Sequence, residues 1–566
     1  MKLVFRRPAS QCERITFFLK GETTMKRILS LILLACFALT ASAFAEAVDP
    51  YGPVADETVK ITVGRAESAN ILYDEGENSA DNYIVRYLEE KLNVDYEYAF
   101  SVDDSAYVTK VNMAIASNEI PDVMNVNYTQ LTQLVEAGAI EDMTDAFNTY
   151  ASESLKKCFD STNGVTLGLG TFDGRLMGIG DICPGMDSVP VLWIRADWLR
   201  QCNLEEPKTW DDVMNVARAF LEQNPSGSVN TGIAVCSNIV QPNGGNYRLD
   251  AMFHYFGSFP QQWIYDSEGK LVYGSITEET KQALGAIAQL VNDGVINASL
   301  AVMDDNQCYE LIANDQCGMF FGSWWGGQWP VVSIMGSRPD DVEFKPLLVM
   351  ANPETGKFDV CGKNPTNTFI VVRKGCSEDV KEAVVKTINY QYDLDQAQAE
   401  GVRPNGMDSN FSWHYYPINV LHCDYDAKEI QIAQVMDVID GKMAYDDLSG
   451  DGKTWYNGYT TVLNGSFREA YDANQATANA WGWAVGALCV ESAGDQVNMF
   501  PEASYAETPS MEKLWTAMET LEEEYFLKVI TGEASLDGWD NFVSEWKNLG
   551  GDKITAEMEQ YIAENR

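Results

Sequence analysis

A chain of 566 residues and 62.9 kDa exceeds what a single hydrophobic core serves, so two or more lobes are expected. Its 46% hydrophobic and 11% aromatic content, with 14 Trp and 26 Tyr, excludes a largely disordered chain. With 83 Asp and Glu against 40 Lys and Arg the formal charge is −43, a field that repels nucleic acid and anionic headgroups, so no nucleic-acid partner is expected.

Met25-Lys26-Arg27, the apolar run over residues 28–39 and Ala43-Phe44-Ala45 together have the layout of a secretory signal peptide, with residues 1–24 as an upstream extension. The apolar run is too short for a spanning helix. A second reading cleaves before Cys36 and lipidates it. The short spacing from Arg27 and the continuing Phe37-Ala38-Leu39 favour cleavage near Glu46 and a secreted, extracellular or envelope-associated product. Residues 1–45 hold seven Lys or Arg and two Asp or Glu, so the remainder carries 33 basic and 81 acidic residues, a net −48. Ten of the 12 cysteines lie beyond residue 45 without any Cys-x-x-Cys, which supports neither a zinc ribbon nor a thioredoxin-like site. The even count is compatible with disulfides such as Cys308 with Cys317, and equally with free buried thiols.

Residues 59–64 alternate apolar and polar as a strand does. A helix over 82–92 places Ile84, Val85, Leu88 and Leu92 on one face, and a strand over 94–100 follows. A helix over 107–116 leads to a strand over 123–126. This β-α-β-α-β order predicts a mostly parallel sheet covered by helices. Residues 129–136 form a helix stopped at Gly138, and 142–150 start another. Further on, Pro207-Lys208-Thr209-Trp210-Asp211-Asp212-Val213 predicts a helix capped by Thr209, its first-turn acids favouring the positive end of the dipole.

Ala116-Ser117-Asn118-Glu119-Ile120-Pro121-Asp122-Val123, then 134–140 and Asp142-Met143-Thr144, resemble the first lobe of family 1 extracellular solute-binding proteins. Gly174-Arg175-Leu176-Met177-Gly178-Ile179, the 192–199 segment and the Thr209 helix start continue the resemblance in the same order. Near the end, Trp546-Lys547-Asn548-Leu549-Gly550-Gly551-Asp552-Lys553-Ile554 resembles the lipoprotein branch that serves oligosaccharide importers. The series spans residues 59–565. The resemblance implies an α/β, two-lobed periplasmic-binding-protein-like (type II) fold with a ligand cleft between the lobes. By analogy lobe one takes 46–185, lobe two 186–361, the return to lobe one 362–426, and a mainly helical stretch over 427–566 closes on lobe two. Crossings are expected at 182–192 and 364–372.

Phe320-Phe321-Gly322-Ser323-Trp324-Trp325-Gly326-Gly327-Gln328-Trp329-Pro330 is the densest aromatic cluster, with three glycines where the tryptophans gather. Sugars offer flat C–H faces ringed by hydroxyls, which rings and planar polar groups recognise together. Trp324, Trp325 and Trp329 are therefore ligand candidates. They are joined by Asp187 at the first expected crossing, Asn364 and Asn367 at the second, and Trp263 and Trp413 from other aromatic groups.

Asp447-Leu448-Ser449-Gly450-Asp451-Gly452 has the opening of a calcium loop, making Asp447, Ser449 and Asp451 a calcium alternative to a site with no metal. The twelfth position, Gly458, lacks the carboxylate such a loop needs, so a turn is the better reading and no cofactor is expected. With three His and no nucleophile-elbow, Walker or Rossmann motif, no enzyme signature emerges. A secreted glycoside hydrolase is the rival, since a pair of acids leaves no local signature. The chain thus reads as the monomeric carbohydrate receptor of an ABC importer, handing its ligand to permease subunits.

Overall fold

The computed structural model describes residues 48–67, 73, 75–242, 244–338, 342–397 and 414–565. The signal region, Cys36 and Trp413 lie outside them. Pro50–Arg566 forms one unit by its internal contacts, and both lobes lie within it.

The first sheet follows from the alternation at the start of the chain. Val59–Glu67 pairs in parallel with Val94–Asp103 on one side and Val123–Val126 on the other. Phe369–Val372 adds antiparallel to Val123–Val126, and Ile179–Gly180 closes the edge. Alternation decides which face each residue buries. Ile370 and Val372 join the cluster of Ile61, Val63, Leu88 and Leu92, while Phe369 and Val371 join Met124, Val126, Leu131 and Leu134 on the opposite face. The helix Tyr83–Leu92 begins where Asn82 Oδ1 accepts from Ile84 N and Val85 N, and ends on Asn93 in the left-handed region.

The second lobe is built on Val191–Arg195, buried along its whole length between Met319–Gly322 and Phe344–Leu347, both antiparallel to it. Leu192 and Ile194 face a core shared with Val213, Phe220, Leu284 and Phe526. Val191 and Trp193 face the other way, toward Trp324, Trp455 and Trp483. Arg195 is buried but paired, reaching Asp197 at 2.6 Å and Asp315 at 2.7 Å with its guanidinium 4.6 Å from the Trp198 ring centroid. Motif residues 195–199 are therefore scaffold. Thr209 caps Trp210–Gln223 in a reciprocal capping box with Asp212.

Beyond residue 426 the chain is mainly helical. Ala427–Ile439, Gly450–Asn464 and Gln475–Glu491 pack beneath Trp193 and Trp324, and Phe526 of Met511–Ile530 enters the other core of the second lobe. Ala506 and Tyr561 instead join the first lobe beside Leu131 and Phe369. Between the lobes, the 181–188 segment is hydrogen bonded to two others. Asp181 N donates to Thr368 O and Cys183 N to Pro365 O, while Ile182 N donates to Leu421 O and Gly185 N to Tyr425 O. Asp181 is fully buried; burial raises its pKa to about 6, opposed by the Asn367 and Thr368 amides that donate to it. All ten cysteines of the unit are free thiols, Cys308 and Cys317 included. No helix among the described residues is long and apolar enough to cross a membrane.

Candidate functional site

The aromatic loop leaves Met319–Gly322 and turns through a short 3-10 segment, Trp324–Gly327. Two glycines set its position. A Cβ at Gly327 would overlap Gly482 O, and one at Gly486 would overlap Trp324 O, so the loop backbone lies directly on Gln475–Glu491. Pressed there, Trp324 is 5% exposed, and its ring meets Trp455 at 5.7 Å and 47°. Its Nε1–H donates to Asp187 Oδ1 at 2.8 Å. Lys428 Nζ stands over the Trp455 ring, 5.6 Å from its centroid.

Asp187 occupies the 3-10 turn Gly185–Ser188. Its other oxygen accepts from Lys363 Nζ at 2.7 Å, and Lys363 N donates to Ser188 Oγ at 2.8 Å. Burial works against the Lys363 charge, but Asp187 outweighs it and the ammonium pKa is raised. A small chamber adjoins this pair, lined by Gln241, Gly244, Arg248, Asp250 and Ser323. Arg248 is fixed there by Asp305 at 2.7 Å and Gln241 at 3.0 Å. Buried Ser323 Oγ and Asn246 Oδ1 have no protein partner.

Of the other residues singled out in the sequence, Trp325 is half-buried beside the same core. Trp329 stacks on Tyr309 at 6.0 Å and 10°, and its carbonyl accepts from Asn246 Nδ2. Asn364 is half-buried and caps Thr366 N with its side chain, whereas exposed Asn367 donates to Cys183 Sγ at 3.2 Å. Trp263 lies elsewhere: it is 3% exposed in a cluster with Tyr273, Met518 and Trp546. The structure thus brings Asp187 and Trp324 together and sets Trp263 apart.

Lys363, Trp455 and Asn246 were missed by sequence reasoning. Only Lys363 carried a signal, as the neighbour of Asn364. On the first lobe, the carboxyl edge of the sheet holds a further polar group that the sequence did not flag. Tyr107 OH bridges Gly64 O and Asn125 O, and Asn419 Nδ2 donates to Ala66 O at 3.0 Å. Asn125 Oδ1 and Asn419 Oδ1 are buried with no protein partner. In open α/β sheets this edge is where ligands bind.

The calcium alternative does not fit. Ser449 Oγ accepts from Gly452 N at 3.0 Å and caps Gly450–Asn464, so the pattern is a helix start. Gly458, at the position where a carboxylate is needed, is buried within that helix beside Trp481. Among the described residues no cluster of three or more His, Cys, Asp or Glu is placed to hold a metal ion.

Residues 74–398, more than half of the chain, match the family of bacterial extracellular solute-binding proteins. The chain belongs to that family. Among curated relatives it is 28% identical to lipoprotein LipO of Bacillus subtilis (strain 168), over 38% of this chain and 42% of that one. It is 24% identical to the fructooligosaccharide ABC transporter substrate-binding protein FusA of Streptococcus pneumoniae serotype 4, over 49% of this chain and 51% of that one. The chain thus spans about half the length of the curated relatives it matches. The fold is similar over far more. An extracellular solute-binding protein from Bifidobacterium longum subsp. infantis superposes with a TM-score of 0.66 at 16% identity, covering 91% of this chain and 99% of that one. An EF-hand mutant of FusA in complex with fructo-nystose gives 0.59 at 17% identity, over 90% and 99%. The two-lobed α/β fold of solute-binding proteins is therefore the fold of this chain.

Proposed function

We propose that this protein is the substrate-binding receptor of an ABC importer, capturing a neutral oligosaccharide between its lobes and presenting it to permease subunits as a monomer, without chemistry. The observation that carries the reading is the glycine-rich loop with Trp324 and Trp325, held against Asp187 at a lobe crossing. Asn125 and Asn419 support it from the first lobe, as buried amide oxygens aimed at no protein donor. A hydroxyl-rich ligand supplies what they lack. The fructooligosaccharide named for FusA belongs to the same chemical class. Division of the chain at residues 185, 361 and 426 is part of this reading, as are secretion past residue 45 and the alternative anchor at Cys36.

The test is a thermal-shift screen of the chain from Glu46 against fructo-, gluco- and galacto-oligosaccharides, with amino acids and short peptides as controls, followed by product analysis. A ligand that binds only the folded state raises Tm by mass action. A rise with one glycan class and intact sugar afterwards is expected. A rise with peptides alone, or cleavage of the sugar, would overturn the reading, the latter in favour of a glycoside hydrolase. Since Ser449 is committed to its cap, adding a calcium chelator should leave Tm where it was, and a fall would reinstate Asp447 and Asp451 as ligands.

A further inference from the structure

Three segments that join the lobes contribute to one continuous row of side chains. Lys363, from the second crossing, reaches Asp187 on the first at 2.7 Å, and Asp187 holds the Trp324 indole at 2.8 Å. Trp324 then meets Trp455, over whose ring stands Lys428, in the first turn of Ala427–Ile439, the helix that follows the 421–425 segment paired with 182–185. The Lys363 side chain is 6% exposed and that of Asp187 19%.

A carboxylate shared in this way has two anchors. Its Oδ1 takes the indole proton and its Oδ2 the ammonium, so neither oxygen is left to rotate toward solvent. Without the ammonium, Oδ2 of the partly exposed carboxylate loses its charged partner, and turning toward solvent lets both oxygens accept from several waters instead of from the indole alone. The indole would then lose its acceptor as well. Burying an ammonium costs hydration that only close pairing offsets, and Lys363 accordingly has its backbone and side chain engaged on the same turn, Asp187 and Ser188.

We propose that Lys363 is a positioning residue which, by fixing Asp187, holds Trp324 so that the glycine-rich loop and the first two crossings move as one body when the hinge turns. The inference deepens the receptor reading and rests on it in taking this loop for the cleft wall.

The test uses the full mature chain labelled with 5-fluorotryptophan and read by fluorine NMR without sugar, with Trp324→Phe and Trp455→Phe assigning two of the signals. Lys363→Met should shift or broaden the Trp324 and Trp455 signals while those of Trp263 and Trp546, in a separate cluster, stay put. Lys363→Arg, which keeps the charge, should restore the wild-type positions. Thermal losses of Lys363→Met and Trp324→Phe should fall short of adding in the double variant. If Lys363→Met does not fold, Asp187→Asn serves in its place, since it keeps the shape but weakens the ammonium's hold, and the same two signals should move. Unmoved signals in a folded variant, or losses that simply add, would overturn the proposal. Titrating the fructo-, gluco- and galacto-oligosaccharides of the screen into the same samples separates the two claims: absence of binding by all of them in the wild type counts against the receptor reading and leaves the positioning result standing.

Discussion

Replacing Trp324 with Ala should lower folding stability by about 3–5 kcal/mol, whereas Trp325→Ala should leave it nearly unchanged and weaken sugar binding by about tenfold or more. Both rings occupy the same loop, so the difference tests how the loop is seated. Trp324 is packed between the second-lobe sheet and Trp455, which is itself 2% exposed. Truncation would open a cavity that the loop cannot collapse to fill, because its backbone already touches Gln475–Glu491 at Gly482 and Gly486. It would also strip Asp187 of its indole donor. Trp325 is only half-buried, so truncation removes a ring face at the surface and leaves the core intact. Urea denaturation at constant pH measures the first effect, and titration with whichever glycan raises Tm measures the second. Equal stability losses would place both rings in the core and remove the aromatic platform from the binding site.

How much of this was legible beforehand depended on whether a signal was local. The first sheet was readable because alternation in 59–64 and the 3.6-residue spacing of Ile84, Val85, Leu88 and Leu92 are imposed by one element on itself. Thr209 was readable for the same reason, since a cap and its helix lie within four residues. Trp263 was not. An aromatic after a glycine-proline loop looks alike whether it faces solvent or a core supplied by residues far later in the chain, as here by Met518 and Trp546. The calcium-like pattern failed through shared chemistry. Short oxygen-bearing side chains and glycines suit both a metal loop and a helix start, and only the glycine at 458 separated them.

Lys363 shows the limit from the other side. A lone lysine among polar neighbours is ordinarily a solvated surface residue. What makes it part of the site is Asp187, 176 positions earlier in the chain, and the backbone pairing that draws residues 362–368 alongside 181–185. Pairwise chemistry of that kind exists only after the topology is known. The Asp187 and Trp324 candidates were each chosen singly, and the hydrogen bond between them was supplied by the fold.

A second large effect is expected from pH. Glu522, on Met511–Ile530, is 1% exposed and lies against Ser275 and Tyr273, whose ring stacks on Trp546. Burial pushes its pKa to about 8; the Ser275 and Tyr273 hydroxyls favour the charged form, and the nearby carboxylates Glu519 and Glu523 oppose it. The unfolded chain releases this proton near pH 4.5, the folded chain only near 8, so between those values the folded state binds more protons and stability falls as pH rises. The contribution is complete below about 4.5, declines through the interval and is flat above about 8. Over that window Glu522 alone should remove on the order of 5 kcal/mol. Glu502, half-buried with its carboxylate accepting from Trp263 N and likewise raised to about 8 by desolvation, acts in the same direction. Glu522→Gln keeps the size and removes the ionisation, so it should be more stable than wild type at pH 8 and have a flatter profile from 5 to 8. Adding Glu502→Gln should flatten the profile further, and the slope that is left belongs to Asp181 and Asp250, raised to about 6, and Glu429, raised to about 7. An unchanged profile in the single variant would mean that Glu522 ionises at its ordinary pKa, with water reaching the carboxylate.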